Sequence, residues 1–220
     1  MMHIMAGKQI SKYIYCMILA RSFIIIFSLL IWCLSVSWTV VVPSREVWLV
    51  QHTSHLRVDG KTNFNQFNCV VPDYSGTDSL ACMLSLAGGD VCRVAGSMLI
   101  PIAAFDCHHR MMTKDLQKTL KMEEHPVMRI DFKNFSQLPS KLNTGASLTA
   151  NAEIRLAGVT RRYNLNFAVK NIIGQTLNLK ATQPILFSDF KLIPPSKLGG
   201  TIRVKDELEV MVSLHLRKQR

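Results

Sequence analysis

The sequence carries none of the short signatures that mark the common enzyme classes. G-x-S-x-G, a P-loop glycine run and H-E-x-x-H are all missing, and no cysteine and histidine stand in the context of a known thiol enzyme. Each of those motifs fixes a nucleophile, a phosphate cradle or a metal base at the spacing its chemistry needs, so their absence argues against the reactions they serve. His108, His109 and His125 flank a helical stretch, and Pro126 follows His125 directly. Proton transfer needs a partner within hydrogen-bond reach, which nothing in the sequence supplies, so surface or capping roles are expected for all three. C-x-x-C is also absent and the intervals between cysteines are irregular. Structural zinc sites draw their ligands in closely spaced pairs, so zinc is disfavoured despite the His52, His55 pair and the histidines beside Cys107. There is no internal repeat and no low-complexity tract. Neither a catalytic residue, a metal nor a cofactor is expected.

Acidic residues are missing from the N-terminus until Glu46, and charge of either sign is missing from Ser22 to Val42, SFIIIFSLLIWCLSVSWTVVV. A helix of that length covers the roughly 30 Å hydrocarbon core of a bilayer. Lys8, Lys12 and Arg21 precede the run, which keeps the N-terminus cytoplasmic and sends the chain beyond Val42 across the membrane. Ser35 and Ser37 offer a small-residue cleavage pattern before Trp38, so a cleaved signal is the first expectation and a retained anchor helix the second. Lipidation at Cys33 is disfavoured by the bulky Trp32 before it. Residues 1–42 therefore read as leader and 43–220 as one exported domain, in the periplasm or at the outer face of a membrane.

Removing Lys8, Lys12 and Arg21 from the 26 basic residues leaves 23 against 15 acidic, a balance of +8 for the exported part. A basic exported domain is not expected to meet nucleic acid; its charge suits anionic lipid head groups, or serves solubility alone. Membrane association is expected. Cys69, Cys82, Cys92 and Cys107 remain after the leader, an even number in a compartment where disulfides persist. At least one disulfide is expected, and all three complete pairings stay open.

From Val47 onward the pattern has period two, the spacing that sends alternate side chains to opposite faces of a strand. Leu208, Val210, Val212, Leu214 and Leu216 alternate with mostly polar neighbours, as do Tyr163, Leu165, Phe167 and Val169. Met128, Ile130 and Phe132, then Ile154 and Leu156, then Leu177 and Leu179, repeat the pattern. One-sided strands belong to antiparallel sheets that curl around a core, so the class is all-β, a barrel or a sandwich. A single exception runs from about His109 to Met122, where Met112, Leu116 and Leu120 recur every four residues. It predicts one amphipathic helix, with Asp106 or Thr113 capping its start and Pro126 forbidding its continuation.

Three segments, FDCHHRMMTKDLQKTLKMEEHPVMRIDF, IRLAGVTRRYNLNF and LFSDFKLIPPSKLGGTIRVKDELEVMVSL, come in the order seen in YceI-like proteins, which the chain resembles from about Val47 to Leu216. Met112, Asp115, Leu120 and Pro126 take the places of that family's helix and the proline after it. Gly158 to Arg161, then Asp189, Phe190, Pro194, Pro195 and Asp206 to Leu208, match its later motifs, and His55 through Cys69 looks like its cysteine-containing branch. The resemblance implies a lipocalin-like antiparallel barrel of about eight strands that holds an isoprenoid chain or another long-chain amphiphile. A barrel of that size is filled by side chains or holds one small ligand. Ile130, Phe132, Ile154, Leu156, Tyr163, Leu165, Phe167, Leu177, Leu179, Val210, Val212 and Leu214 are accordingly either a closed core or a tunnel lining. The corresponding functions are an exported carrier or buffer of an amphiphile, or a membrane-tethered interaction domain with a filled barrel. The resemblance favours the carrier.

Overall fold

A computed structural model describes residues 45–84 and 90–219, so the signal or anchor segment lies outside the described residues. Twelve strands are described: β1 (Arg45–Val50), β2 (His55–Thr62), β3 (Gln66–Val71), β4 (Ser79–Leu84), β5 (Cys92–Ala95), β6 (Ser97–Pro101), β7 (Val127–Phe135), β8 (Ser147–Leu156), β9 (Val159–Ile173), β10 (Thr176–Leu186), β11 (Ser196–Lys197) and β12 (Ile202–Lys218). One α-helix, α1 (Arg110–Thr119), separates β6 from β7. No helix among the described residues is long and apolar enough to cross a membrane.

Strands β1, β4, β5, β7, β8, β9, β10 and β12 follow one another in an antiparallel ring, which β1 closes by pairing with β12. The fold is thus a closed eight-stranded antiparallel barrel, as the resemblance to YceI-like proteins implies, and not the sandwich that strand alternation alone also allows. Two ring strands are continued past a break. After β1 the chain turns and resumes as β2, which follows β12 from Ser213 towards Val204, with β3 on its outer edge. After β5 it bends at Gly96 and resumes as β6 along β7. The bend needs glycine, because φ there is +154° and a Cβ would sit 2.2 Å from the Ser79 carbonyl oxygen.

These breaks give the barrel two unlike ends. At the β1 end the ring is complete, and Phe135, Leu148, Phe167, Leu177, Leu179, Leu214 and Leu216 are fully buried there or nearly so. At the other end no strand ladder among the described residues joins β3 to β6. The gap is bridged by one antiparallel pair, Val70 with Asp106 (N–H to O distances of 2.7 and 2.8 Å), and by the Cys69–Cys107 disulfide beside it. Leu116 of α1 and Leu120, the residue that follows the helix, turn inward at this end.

The helix is shorter than its sequence pattern. His109 caps it without a side-chain bond. Asp106 and Thr113, the expected caps, instead brace the approach: Asp106 accepts from the His108 N–H at 2.9 Å and Thr113 Oγ1 from the Cys107 N–H at 3.0 Å. Pro126 does not end it either. Lys121 adopts φ +54°, and bonds from Lys121 N to Lys118 O and from Met122 N to Gln117 O satisfy carbonyls of the last turn before the chain reaches that proline.

At the closed end, Glu46 ties β1 to two distant parts of the chain. Its nearly buried carboxylate accepts bonds from Ser140 Oγ, from Lys218 Nζ at 3.0 Å and from Trp48 Nε1 at 3.1 Å. Burial pushes its pKa up, but the bonds from Ser140, Lys218 and Trp48 and the Lys218 charge outweigh that and hold it below its ordinary 4.5. A carboxyl whose folded pKa is depressed stabilises the fold above its unfolded value and loses that contribution as pH falls through the folded one. Glu46→Ala is therefore expected to cost about 1.5–3 kcal/mol at neutral pH, the range for hydrogen bonds to a charged group. Denaturant melts below pH 4.5 should show the difference between variant and wild type shrinking; a constant difference would contradict the assignment.

Candidate ligand-binding site

Above the solid end the barrel is not filled. An apolar cavity of about 70 Å³ is enclosed by β2, β6, β7, β8, β9, β10 and β12, with Phe105, Leu116, Leu120 and Phe190 closing it from the side and top. Among its lining residues only Gln183 has a polar side chain, and its Nε2 donates to the Pro184 carbonyl at 3.1 Å. The cavity lies along the part of β12 that pairs with β2 in place of β1, where no strand ladder among the described residues closes the wall between β3 and β6. Leu214 and Leu216 meet Leu179 and Leu177 in register inside a complete ring, whereas Val210 and Leu208 look across at α1.

Of the side chains expected inside, Ile130, Phe132, Ile154, Leu156, Leu165, Val210 and Val212 line this cavity. Phe167, Leu177, Leu179 and Leu214 do not; they are core of the closed end. Tyr163 also lies outside the lining: its ring stacks on Phe190 and its hydroxyl donates to Asp189 at 3.0 Å. Burial first, and then Asp189, push the Tyr163 phenol pKa upward, so it stays a neutral donor. Lining residues not foreseen include Leu56 and Val58 on β2, Met98 on β6, and Ile185 and Phe190 near the end of β10. β2 does alternate, but its HLRVDG stretch holds only two large apolar residues.

Of the four candidate cysteines, Cys69 and Cys107 form the disulfide, and Cys82 and Cys92 are free and buried. The hydrogen bond with Cys92 and then burial push the Cys82 thiol well up, which leaves it unreactive.

Beyond the cavity, on the far side of Leu116, lies a wider mouth of about 500 Å³. The β2–β3 turn contributes Phe64 and β3 contributes Phe67, the start of α1 contributes Met111 and Met112, and Pro195, Ile202 and Val204 come from β12 and the loop before it. Phe67 lies over Gly60, where a Cβ would come within 2.2 Å of the ring. Leu116 faces both spaces, so one helix side chain separates them. α1 is held over this opening by the disulfide and by an ion pair of Asp115 with Lys197 at 2.7 Å.

A YceI-like domain model matches residues 38–216. Among solved structures, BcnA of Burkholderia cenocepacia is similar at TM-score 0.55 and 16% identity, over 74% of this chain and 95% of that one. A polyisoprenoid binding domain from Saccharophagus degradans, implicated in plant cell wall breakdown, is similar at TM-score 0.56 and 11% identity, over 78% of this chain and 98% of that one. At these identities the likeness concerns the fold. No curated protein matches the sequence.

Proposed function

The chain belongs to the YceI-like domain family, and from that membership and the apolar barrel we propose that it is an exported binding protein for an isoprenoid-type or other long-chain amphiphile, which it carries or buffers. It holds its ligand and does not convert it. The observation that carries this reading is the cavity lined almost wholly by hydrocarbon, continued past Leu116 by a mouth of about 500 Å³. That is the composition and size range of small-molecule sites: mostly apolar, with a few polar groups at the rim. Here the polar groups of the mouth are Thr62, Asn65, Gln66, His109, Asp115 and Lys197. The solid closed end is what a filled interaction domain would show throughout; the hollow part above it favours binding.

The inner cavity as it stands holds about 70 Å³, about half the 150 Å³ of an engineered cavity that accepts benzene. A long chain enters when the wall yields, and the element placed to yield is α1, a single helix that stands where the strand wall is open and turns Leu116 into the cavity. The apolar tail then runs towards Val212 and the polar end stays at the mouth.

A ligand that binds only the folded chain raises its stability by about 2.7 kcal/mol at one hundred times its dissociation constant. Adding a polyprenyl phosphate to the purified protein should raise the melting temperature by roughly 5–11 °C. No rise with polyprenyl or fatty amphiphiles of any chain length would count against binding.

A further inference from the structure

The mouth has a second property that ligand binding does not require. Its rim is exposed and apolar: Phe64 is 67% and Met111 61% exposed, and Ile193, two residues before Pro195, is 85% exposed. On the outer side of the same rim stand Lys61, Arg203 and Lys205, which alternate along β2 and β12 with the mouth-lining Thr62, Ile202 and Val204, and α1 adds Arg110 and Lys114 beside Met111 and Asp115; all five are exposed. None of the five makes a salt bridge among the described residues. Asp115, the one acid lining the mouth, is paired with Lys197. Acids resume along β12 only at Asp206, held by Ser188, and at Glu207.

Large apolar side chains at the tip of a ring of unpaired cations suit a surface that is anionic outside and hydrocarbon beneath, because such binding adds buried apolar area to attraction for acidic lipids. We propose that the mouth of the barrel docks on an anionic lipid bilayer, with Phe64, Met111 and Ile193 entering the interface and the five cations lying on the head groups. The charge complementarity selects a membrane over a second copy of this chain, whose own mouth would carry the same sign. Docking concerns the rim and does not depend on what the barrel holds.

The test uses the full chain held in phosphatidylcholine nanodiscs and mixed with separate vesicles, either phosphatidylcholine alone or phosphatidylcholine with phosphatidylglycerol. Hydroxyl-radical footprinting with peptide mass spectrometry reads Met111 and Phe64, with Met83 on β4 as reference. We expect Met111 and Phe64 to be protected severalfold with the anionic vesicles, unprotected with the neutral ones, and exposed again in high salt. Met83 should not change. Arg203→Gln and Lys205→Gln should each weaken vesicle binding about fivefold, the worth of one cation at an acidic surface. Unchanged Met111 with anionic vesicles, or equal protection with neutral ones, would overturn the proposal. So would protection that grows with protein concentration in the absence of vesicles, which would assign the rim to a second copy. Because the footprint reads contact and not ligand content, its failure leaves the carrier reading standing.

Discussion

Replacing Cys69 and Cys107 together by alanine should lower the unfolding free energy by about 4 kcal/mol, the chain-entropy value for a crosslink with a sequence separation of 38. In a domain of this size that corresponds to a drop in melting temperature of roughly 8–16 °C. The effect is large because the crosslink closes a long loop in the unfolded chain. In the folded chain it sits beside the Val70–Asp106 pair, the one backbone pairing among the described residues between β3 and the segment leading into α1. Reducing agent should reproduce the loss in the wild type and leave the double variant unchanged, since Cys82 and Cys92 are free thiols already. A loss under about 1 kcal/mol, within the range of a single hydrogen bond, would contradict the stabilising role given to the crosslink.

Val210→Phe should abolish most ligand binding while leaving the fold in place. Val210 lies in the hollow stretch of β12, paired with Val58 on one side and Gln183 on the other, and its side chain lines the cavity. A phenyl group there takes up the space that a tail needs, and overpacking of this kind costs about 1–3 kcal/mol. The expected result is at least tenfold weaker binding of a polyprenyl probe, ~1.4 kcal/mol or more. Glu209→Gln, on the exposed side of the same strand, is the control and should bind as wild type does. Ser213 is not suitable, although its place in the alternation points it outward. It is buried under the β1–β2 turn, where the neighbouring His215 N–H donates to Ser54 Oγ at 3.0 Å. Unimpaired binding by Val210→Phe would place the ligand outside the barrel.

Strand alternation reports which side of a sheet a residue faces, and for β12 it did so along Leu208, Val210, Val212, Leu214 and Leu216, all of them buried. It says nothing about what stands opposite. Val210 and Leu214 carry the same local signal, yet one lines a cavity and the other is packed solid, because β1 completes the ring only beside the far part of β12. That difference depends on a pairing between residues more than 160 positions apart, Val50 with Leu216, and no window of sequence contains it. The disulfide partners were hidden for the same reason: Cys69 meets Cys107 only because Val70 pairs with Asp106 across the open end. The helix was legible from Met112, Leu116 and Leu120, but its end was not. A lysine in the left-handed conformation closes it, where sequence rules look to glycine or to the later proline.

The most direct test is to purify the protein from cells that export it, extract the folded protein with organic solvent and analyse the extract by mass spectrometry. If the hollow end of the barrel is a ligand site, the extract should contain a long-chain isoprenoid or fatty amphiphile approaching one per chain, and much less of it from Val210→Phe than from Glu209→Gln. A folded wild-type protein that yields no such molecule and gains no stability from any added amphiphile would contradict the carrier function and leave a tethered interaction domain in its place.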